Sequence, residues 1–513
     1  MKRLLLAITA LLWLGWAAPA APATSDGIAW FQGDVDAAFA QARRERKPLF
    51  LYWGAVWCPP CNQVKATIFN RQDFIARSRN FVPVYIDGDS PSAQALASRF
   101  KVSAYPTMVL FRPDGAEVTR LPGEVEAEQY MRVLTLSMHA TRPVSALLIA
   151  VQTGRSALTP ADWRLLAYYS WETDEQAIVP KDKLPATLAR LAQACPAQQA
   201  AARSRLLLKA VAVASDEGDK ARSFDRAAAV AQLEAVLADP ALARENFSAL
   251  TDSAEDIAKG LALTEQERGR LFKSWDPLLA RWSDDASLSR ADRLSAVTGR
   301  VELARIDAGE GPLPPPLIND VRFAARRAER ETTDKYERQA VISAAAYALR
   351  EAGLLDDSDA MLKAELNRSH SPYYFMSSLG SNAKKRGDYD AAVDWYGKAY
   401  QASTGPATRL QWGASYVRAL IDMAPQDPGR IESVALQVIG ELEAKPETFH
   451  GRNGSALVSL GKRLRGWSDN NNEADAFGRL REAMDGVCSK LPADAPEHAT
   501  CDGVFAATKA SPA

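Results

Sequence analysis

Residues 53–61, which read WGAVWCPPC, decide the fold of this chain. They place Cys58 and Cys61 on either side of two prolines, in a chain of 513 residues that has only 5 cysteines. The apolar run PLFLYW at 48–53 has the composition of a buried central strand. The residues from 61 to 69 have helical spacing. The sequence therefore predicts a strand that leads into a helix, with Cys58 at the junction.

The residues around the cysteines predict alternating helices and strands. RPDG at 112–115 supplies the proline, aspartate and glycine of a tight turn between two strands. This order predicts an α/β fold with a small mixed sheet at the N-terminus. The pattern gives helices at 34–46, 61–69, 90–100 and 124–139, and strands at 48–53, 81–87, 106–111 and 116–120.

Three kinds of chemistry use two cysteines at this spacing. A zinc site needs about four ligands, and none of the four histidines lies between residues 25 and 138. A structural disulfide that closes so small a loop adds little stability. A redox pair fits best, because helix N–H groups and the helix dipole stabilise a thiolate, the species that attacks disulfides. We expect Cys58, exposed at the helix start, to attack and Cys61 to resolve, with no metal and no other cofactor.

WCPPC, the strand before it and AYPT at 104–107 together resemble the thioredoxin-like family over about residues 28–140. TIFNRQDF at 67–74 is most similar to the C-terminal domain of the membrane reductase DsbD and its secreted relatives, and CPPC recurs in periplasmic cytochrome-maturation thioredoxins. The resemblance implies a thioredoxin fold in which Pro106 is cis and faces the cysteines. It also implies that the backbone of Tyr105 pairs with an extended substrate segment, and we expect Trp57 to cover the site.

The chain departs from the family at two places that bear on its chemistry. Thioredoxins carry a buried aspartate six residues before the first cysteine, where this chain has Tyr52. Cys61 must therefore lose its proton to water or to a group from elsewhere, or lose it slowly. Pro59 and Pro60 lack N–H groups and so remove two donors to a thiolate. We expect a less acidic Cys58 and a pair that works in the reducing direction.

The N-terminus predicts export. Lys2 and Arg3 precede an uncharged apolar run at 4–18, and APAAPA at 18–23 has the small residues that a signal peptidase accepts. We expect a signal peptide at 1–23, with an uncleaved anchor as the alternative. Export implies an oxidising compartment, expected to be the bacterial periplasm, and a chain that is soluble after cleavage.

The charge balance bears on the partners of the chain. With 62 Lys and Arg against 63 Asp and Glu, the formal net charge is -1, which argues against nucleic acid as a partner. The expected partners are protein thiols or disulfides. A membrane thiol donor is also expected, because the chain carries no electron channel that could recharge the pair.

Beyond residue 140 the strand signals stop and amphipathic helical patterns follow. The segment at 378–400, SLGSNAKKRGDYDAAVDWYGKAY, is similar to a tetratricopeptide repeat, and an irregular α-solenoid is expected, with an ordinary helical bundle as the alternative. The predicted divisions are a signal peptide at 1–23, a thioredoxin-like domain at 26–140, a helical region at 141–312, a tetratricopeptide-like region at 313–487 and a tail at 488–513.

The remaining cysteines and the helical region leave a second hypothesis open. Cys488 and Cys501 are predicted to form a structural disulfide that pins the tail, and Cys195 is left over, buried in a helix. The first hypothesis is an exported protein-disulfide oxidoreductase. The second is a helical-repeat interaction or scaffolding protein that uses its thioredoxin-like domain mainly for docking.

Overall fold

A computed structural model describes residues 27–90, 92–102, 104–123, 125–155, 157–171, 174, 178–215 and 223–506. The predicted signal peptide lies outside these residues. The N-terminal domain contains α1 (Val35–Glu45), β1 (Leu49–Gly54), α2 (Pro59–Val64) with a π-helical turn (Lys65–Phe69), α3 (Gln72–Ser78), β2 (Val82–Asp87), α4 (Ala93–Phe100), β3 (Thr107–Phe111), β4 (Glu117–Leu121) and α5 (Ala127–Met138).

The four strands form one mixed sheet in the order β2-β1-β3-β4. Strand β1 pairs parallel with β2 and antiparallel with β3, and β3 pairs antiparallel with β4. Every residue of β1 is buried, as its unbroken apolar run predicts. Helices α1 and α4 pack on one face of the sheet, and the π-helical turn, α3 and α5 pack on the other. The predicted α/β fold with a small mixed sheet is confirmed.

Two helices of this domain differ from the prediction. The sequence predicts no helix between residues 70 and 80, but α3 lies there and buries Phe74 and Ile75. Its N-cap residue, Arg71, makes no side-chain capping bond, so the usual start signal is missing. Helix α4 begins at Ala93 rather than at Ser90, and the amide of Ala93 donates a hydrogen bond of 3.0 Å to the Ser90 carbonyl.

The rest of the described chain is helical, which confirms the predicted all-α region. Its helices are α6 (Val144–Thr153), α7 (Pro160–Ala167), α8 (Leu184–Ala194), α9 (Ala200–Ala214), α10 (Arg226–Ala238), α11 (Pro240–Glu245), α12 (Phe247–Thr251), α13 (Ala254–Gly260), α14 (Glu265–Asp284), α15 (Arg290–Ala308), α16 (Pro315–Glu331), α17 (Lys335–Glu351), α18 (Leu355–Glu365), α19 (Pro372–Arg386), α20 (Tyr389–Ala402), α21 (Pro406–Met423), α22 (Pro428–Gly440), α23 (Gly451–Asn471), α24 (Ala474–Cys488) and α25 (Glu497–Gly503).

The helical region contacts the N-terminal domain at its beginning and again in its second half. Helices α6 to α9 share a continuous hydrophobic core with one face of the sheet. Further cores then follow along the chain through α15, α19 and α25. On the return, α17 contacts α2, and α23 contacts α4. The helices therefore curve around the N-terminal domain and reach the cysteine motif.

The repeat-like segment at 378–400 forms the helix pair α19 and α20. Gly387 ends α19 with a φ of 80°, a conformation that favours glycine. A Cβ atom at Gly380 would lie 3.0 Å from the ring of Tyr396, so the small residue lets the two helices approach closely. The pair is a helical hairpin, and its assignment as a tetratricopeptide repeat stays a prediction.

Cys488 and Cys501 form a disulfide that joins the end of α24 to α25, inside the segment predicted as a tail. Replacing both with serine is expected to lower the free energy of unfolding of this segment by about 3 kcal/mol, because the open chain gains the entropy of a loop of this size. Hydrogen exchange of the α24 and α25 amides measures this loss. Cys195→Ser is the control, and equal protection in both variants would contradict the prediction.

Candidate functional site

Cys58 lies where β1 ends and α2 begins. It is the N-cap residue of α2, and its Sγ accepts a hydrogen bond of 3.1 Å from the amide of Cys61. The two cysteines are joined by a disulfide. Pro59 and Pro60 have no N–H, so the Cys61 amide is the first helical donor that the sulfur meets. A thiolate at Cys58 is therefore stabilised by the helix end, with fewer donors than a proline-free motif offers.

The predicted substrate platform lies beside this junction. The Tyr105–Pro106 peptide bond is cis, as the resemblance implies. Strand β3 starts at the next residue, Thr107, which pairs with Trp53 near the end of β1. The rings of Tyr105 and Trp57 are 6.2 Å apart. The structure thus brings the predicted residues Trp57, Cys58, Cys61, Tyr105 and Pro106 to one end of the sheet.

The expected exposure of Cys58 is wrong in this structure. Only 2% of Cys58 is exposed, and Trp57 is 8% exposed. Both belong to an apolar cluster that includes Tyr373 of α19 and Ala399 of α20, with Trp412 of α21 packed against it. The physical reason is the return of the helical region, which covers the cysteine motif.

A buried carboxyl group links the helices that cover the cysteine motif, α19 to α21, to the motif itself. Asp89 accepts a hydrogen bond of 3.1 Å from Nε1 of Trp57 and a second hydrogen bond from the hydroxyl of Thr408 on α21. Burial raises the pKa of Asp89, while these two hydrogen bonds act in the opposite direction. The carboxyl therefore links Trp57, next to the first cysteine, with the helical region.

Two further contacts join the helical region to the residues around the cysteine motif. The guanidinium of Arg452 lies 5.3 Å from the ring centres of both Trp57 and Tyr105, where cation–π attraction operates. Nε2 of His370 lies 2.9 Å from the carbonyl oxygen of Val56. No local signal marks these contacts, because the partners are hundreds of residues apart.

Tyr52 does not replace the missing carboxylate of the family. Its ring is buried, stacked at 5.3 Å on Tyr85 and edge-on at 4.8 Å to Phe69. Burial raises the pKa of Tyr52 well above its ordinary value, so its hydroxyl stays protonated at neutral pH. The group that accepts the proton of Cys61 must therefore come from outside β1.

A cavity of about 620 Å³ reaches the motif from the other side. Pro59 and Pro60 line it together with residues of α15, α17 and α19. Burial and nearby carboxyl groups raise the pKa of Glu302, which lines this cavity from α15, to about 8. The carboxyl groups that raise it belong to Glu255, Asp252, Asp256 and Glu351.

This pKa predicts a pH dependence of stability. Between the ordinary carboxyl pKa and about pH 8, the folded chain holds a proton on Glu302 that the unfolded chain has released, so stability falls as pH rises through this window. Glu302→Gln is expected to remove roughly 2 kcal/mol of this loss. Thermal unfolding at about pH 6 and pH 8.5 measures it, with exposed Glu310→Gln as control. An unchanged pH dependence in Glu302→Gln would contradict the assignment.

Within the described ranges, no cluster of three or more His, Cys, Asp or Glu side chains is arranged to hold a metal ion. None of the described helices is long and apolar enough to cross a membrane.

Comparisons with known proteins agree with this geometry. A family model described as a thioredoxin-like domain matches residues 35–136. Thiol:disulfide interchange protein DsbD 1 of Pseudomonas aeruginosa is 31% identical over 101 residues, which are 18% of this chain and 16% of that protein. Thioredoxin of Mycolicibacterium smegmatis is 33% identical over 90 residues, 17% of this chain and 77% of that protein.

A solved structure titled DsbH Oxidoreductase matches 25% of this chain and 94% of its own, with 18% identity and a TM-score of 0.20. The chain spans less than a fifth of the length of the DsbD proteins it matches, 16% and 19%. The predicted similarity to the DsbD thioredoxin-like domain is confirmed.

Proposed function

Because this chain belongs to the thioredoxin-like family, we propose that it is a thiol–disulfide oxidoreductase whose Cys58–Cys61 pair exchanges disulfides with protein clients. The observation that carries this proposal is the position of Cys58, at the N-cap of α2, in a disulfide with Cys61 and beside cis-Pro106. A disulfide that only stabilises the fold would gain little from so short a loop. A disulfide at a helix N-terminus has a leaving thiolate that the helix stabilises.

The reaction follows from these positions. In the reduced pair, the thiolate of Cys58 attacks one sulfur of a client disulfide, and the other client sulfur leaves as a thiolate. Cys61 then loses its proton and attacks the Cys58 sulfur. The Cys58–Cys61 disulfide forms, the client bond breaks, and the client has gained two electrons. A dithiol must reduce the pair again before the next turnover.

The proposal also specifies the direction of electron transfer and the cellular compartment. The missing N–H groups of Pro59 and Pro60 favour a reducing pair. The predicted signal peptide at 1–23 supports action in the periplasm, where a membrane thiol donor would return electrons to Cys58 and Cys61. These elements of the proposal rest on the sequence.

Trapping of a mixed disulfide tests the proposed reaction. Full-length Cys61→Ser keeps the attacking thiol and lacks the resolving thiol, so it is expected to accumulate a covalent adduct with a disulfide substrate. Cys58→Ser, the matched control, is expected to form none. Mass spectrometry of the non-reduced proteins detects the adduct, and its absence from Cys61→Ser would contradict the proposal.

The covered state of the motif favours one second candidate. Cys58 is 2% exposed beneath α19 to α21, so the thioredoxin-like domain could serve as a docking platform for the helices, and the chain as an interaction or scaffolding protein. This candidate predicts that Cys58→Ser leaves the function of the chain intact in cells. The oxidoreductase proposal predicts that the same variant abolishes it.

A further inference from the structure

The cavity beside the motif has the surface of a binding site. Its helical wall presents six hydroxyl side chains, two from α15, one from α17 and three from α19: Ser295, Thr298, Ser343, Ser377, Ser378 and Ser381. The rings of Tyr374 and Trp412 also line the cavity, and Pro60 lines it from the N-terminal domain. Trp412 also packs against the cluster that contains Cys58. Trp412 thus borders both the cavity and the cluster around the Cys58 sulfur.

We propose that this cavity binds an extended peptide of a few residues whose cysteine is exchanged at Cys58. The proposal rests on the proposed oxidoreductase function and specifies its substrate class. The chain would act on disulfides of short or unfolded peptide segments rather than on disulfides at the surface of folded domains.

The first argument is steric. A disulfide on a folded surface reaches a thioredoxin-like motif only if the motif is open, but here Tyr373, Ala399 and Trp412 cover Cys58. The cavity of about 620 Å³ is within the range that holds a ligand of a few hundred daltons, and it is too small for a folded domain. An extended segment that occupies it lies beside Pro59 and Pro60, the two residues between the cysteines.

The second argument is the chemistry of the wall. An extended peptide has an N–H and a C=O at every residue, and each must find a partner when it is buried. A hydroxyl offers one donor and two acceptor positions. Among the described residues, the hydroxyls of Ser295 and Ser377 have no hydrogen-bond partner. The hydroxyl of Ser343 donates to the Gln339 carbonyl at 2.7 Å and so keeps its acceptor positions.

Arg350 adds a positive charge to the wall, and Glu302, which is protonated at neutral pH, adds a carboxyl group that can donate and accept hydrogen bonds. The hydroxyls, spaced along three helices, match a repeating backbone better than they match a single compact ligand. The rings of Tyr374 and Trp412 supply the apolar contact that a peptide side chain needs. The cavity therefore suits the backbone of a peptide and imposes few demands on its sequence.

The exchange step is the one described above, with the peptide as client. The thiolate of reduced Cys58 forms a bond to the peptide sulfur, and the second sulfur of the peptide disulfide leaves. Cys61 then releases the peptide as a thiol while the pair becomes oxidised. Two electrons pass from the pair to the peptide disulfide, so a single turnover of pre-reduced protein needs no other reductant.

The test uses single turnovers of the pre-reduced full chain with three disulfides. They are a disulfide-linked dimer of a five-residue cysteine peptide, hydroxyethyl disulfide, and a folded domain with one surface disulfide. Ser377→Phe and Ser295→Phe fill the cavity from two different helices. Ser459→Phe on α23 is the control, because Ser459 is exposed in the middle of a helix. Circular dichroism checks that each variant is folded.

We expect the peptide disulfide to react at least about tenfold faster than the folded-domain disulfide. Ser377→Phe and Ser295→Phe are expected to slow the peptide reaction about tenfold and to leave hydroxyethyl disulfide within about twofold. Ser459→Phe is expected to change neither reaction. Peptide rates that are unchanged in both cavity variants would overturn the proposal, as would equal rates for the peptide and the folded domain.

Two further measurements distinguish free peptides from unfolded protein segments as substrates, and failure of this proposal from failure of the proposed oxidoreductase function. The same five residues, attached as a flexible tail to a folded carrier, react at the free-peptide rate if unfolded protein segments are the substrate. They react slowly if short free peptides are the substrate, and both results support an extended peptide. If the wild-type chain reduces none of the disulfides, including hydroxyethyl disulfide, then the proposed oxidoreductase function itself fails.

Discussion

Cys58→Ser is expected to reduce the rate of disulfide exchange by at least about a thousandfold, because a serine hydroxyl is not ionised at neutral pH and does not attack a disulfide. The measurement is the rate at which the pre-reduced full chain reduces a peptide disulfide in a single turnover. Cys61→Ser is expected to carry out the first step and to stop at the mixed disulfide. The two variants therefore separate attack from resolution.

Cys195→Ser is the control for this series. Burial raises the pKa of Cys195 to about 11, so its thiol is protonated at neutral pH and takes no part in exchange. Its loss should leave the rate within about twofold. A Cys58→Ser variant that still exchanges disulfides at an appreciable rate would show that the reactive thiol lies elsewhere.

Arg120→Met is expected to lower the unfolding free energy of the N-terminal domain by about 3–5 kcal/mol. This is the usual cost of removing one member of a buried charged pair, because its partners stay buried without a hydrogen-bond donor. The Arg120 side chain is 1% exposed. Its guanidinium donates to the carbonyls of Phe100 and Lys101 at the end of α4, each at 2.7 Å, and to Glu117 at 3.0 Å. Methionine has a similar shape and satisfies none of these acceptors. Native-state hydrogen exchange of the β1 amides measures the loss.

Arg99→Met provides the matched control, because Arg99 lies on α4, the helix whose terminal carbonyls accept hydrogen bonds from Arg120 of β4. Arg99 pairs with Asp36 at 2.8 Å, but both side chains are largely exposed. Exposed pairs contribute at most about 1 kcal/mol. A loss for Arg120→Met no larger than that of the control would contradict the role assigned to this buried arginine.

The N-terminal domain could be predicted well because its signals are local. The apolar run at 48–53 indicates a strand that is buried on both faces, and the structure buries all of β1. The motif at 58–61 lies between that strand and a helix, as expected. Helix α3 escaped prediction because it is short and Arg71 gives it no capping bond. Its existence depends on the burial of Phe74 and Ile75, a tertiary effect.

The cover over the cysteines could not be predicted, because it depends on residues far apart in the chain. Thr408 donates to Asp89 across 319 positions, and His370 meets Val56 across 314. The sequence around Trp412 has an ordinary amphipathic helical pattern and does not indicate a contact with residues 57–61. In the structure Trp412 packs against the cysteine cluster and lines the cavity. Periodicity identifies the buried face of a helix, but it does not say which other part of the chain covers that face.

The helical region is therefore part of the candidate site. Trp57 is bound through Asp89 to Thr408, and Arg452 lies over the rings of Trp57 and Tyr105. A client that pairs with the backbone of Tyr105 must displace Arg452 or enter beside it. The residues that cover Cys58 lie on α19, α20 and α21, and Arg452 lies on α23, so selectivity for clients is expected to depend on these four helices.

A redox titration of the full chain tests the central claim most directly. The protein is equilibrated in thiol–disulfide buffers, its free thiols are alkylated, and the peptides with Cys58 and Cys61 are quantified by mass spectrometry. The account predicts a two-electron transition with a midpoint between about -220 and -270 mV, the range of reducing thioredoxin-like pairs. A pair that stays oxidised down to about -300 mV would behave as a structural disulfide and would contradict the account.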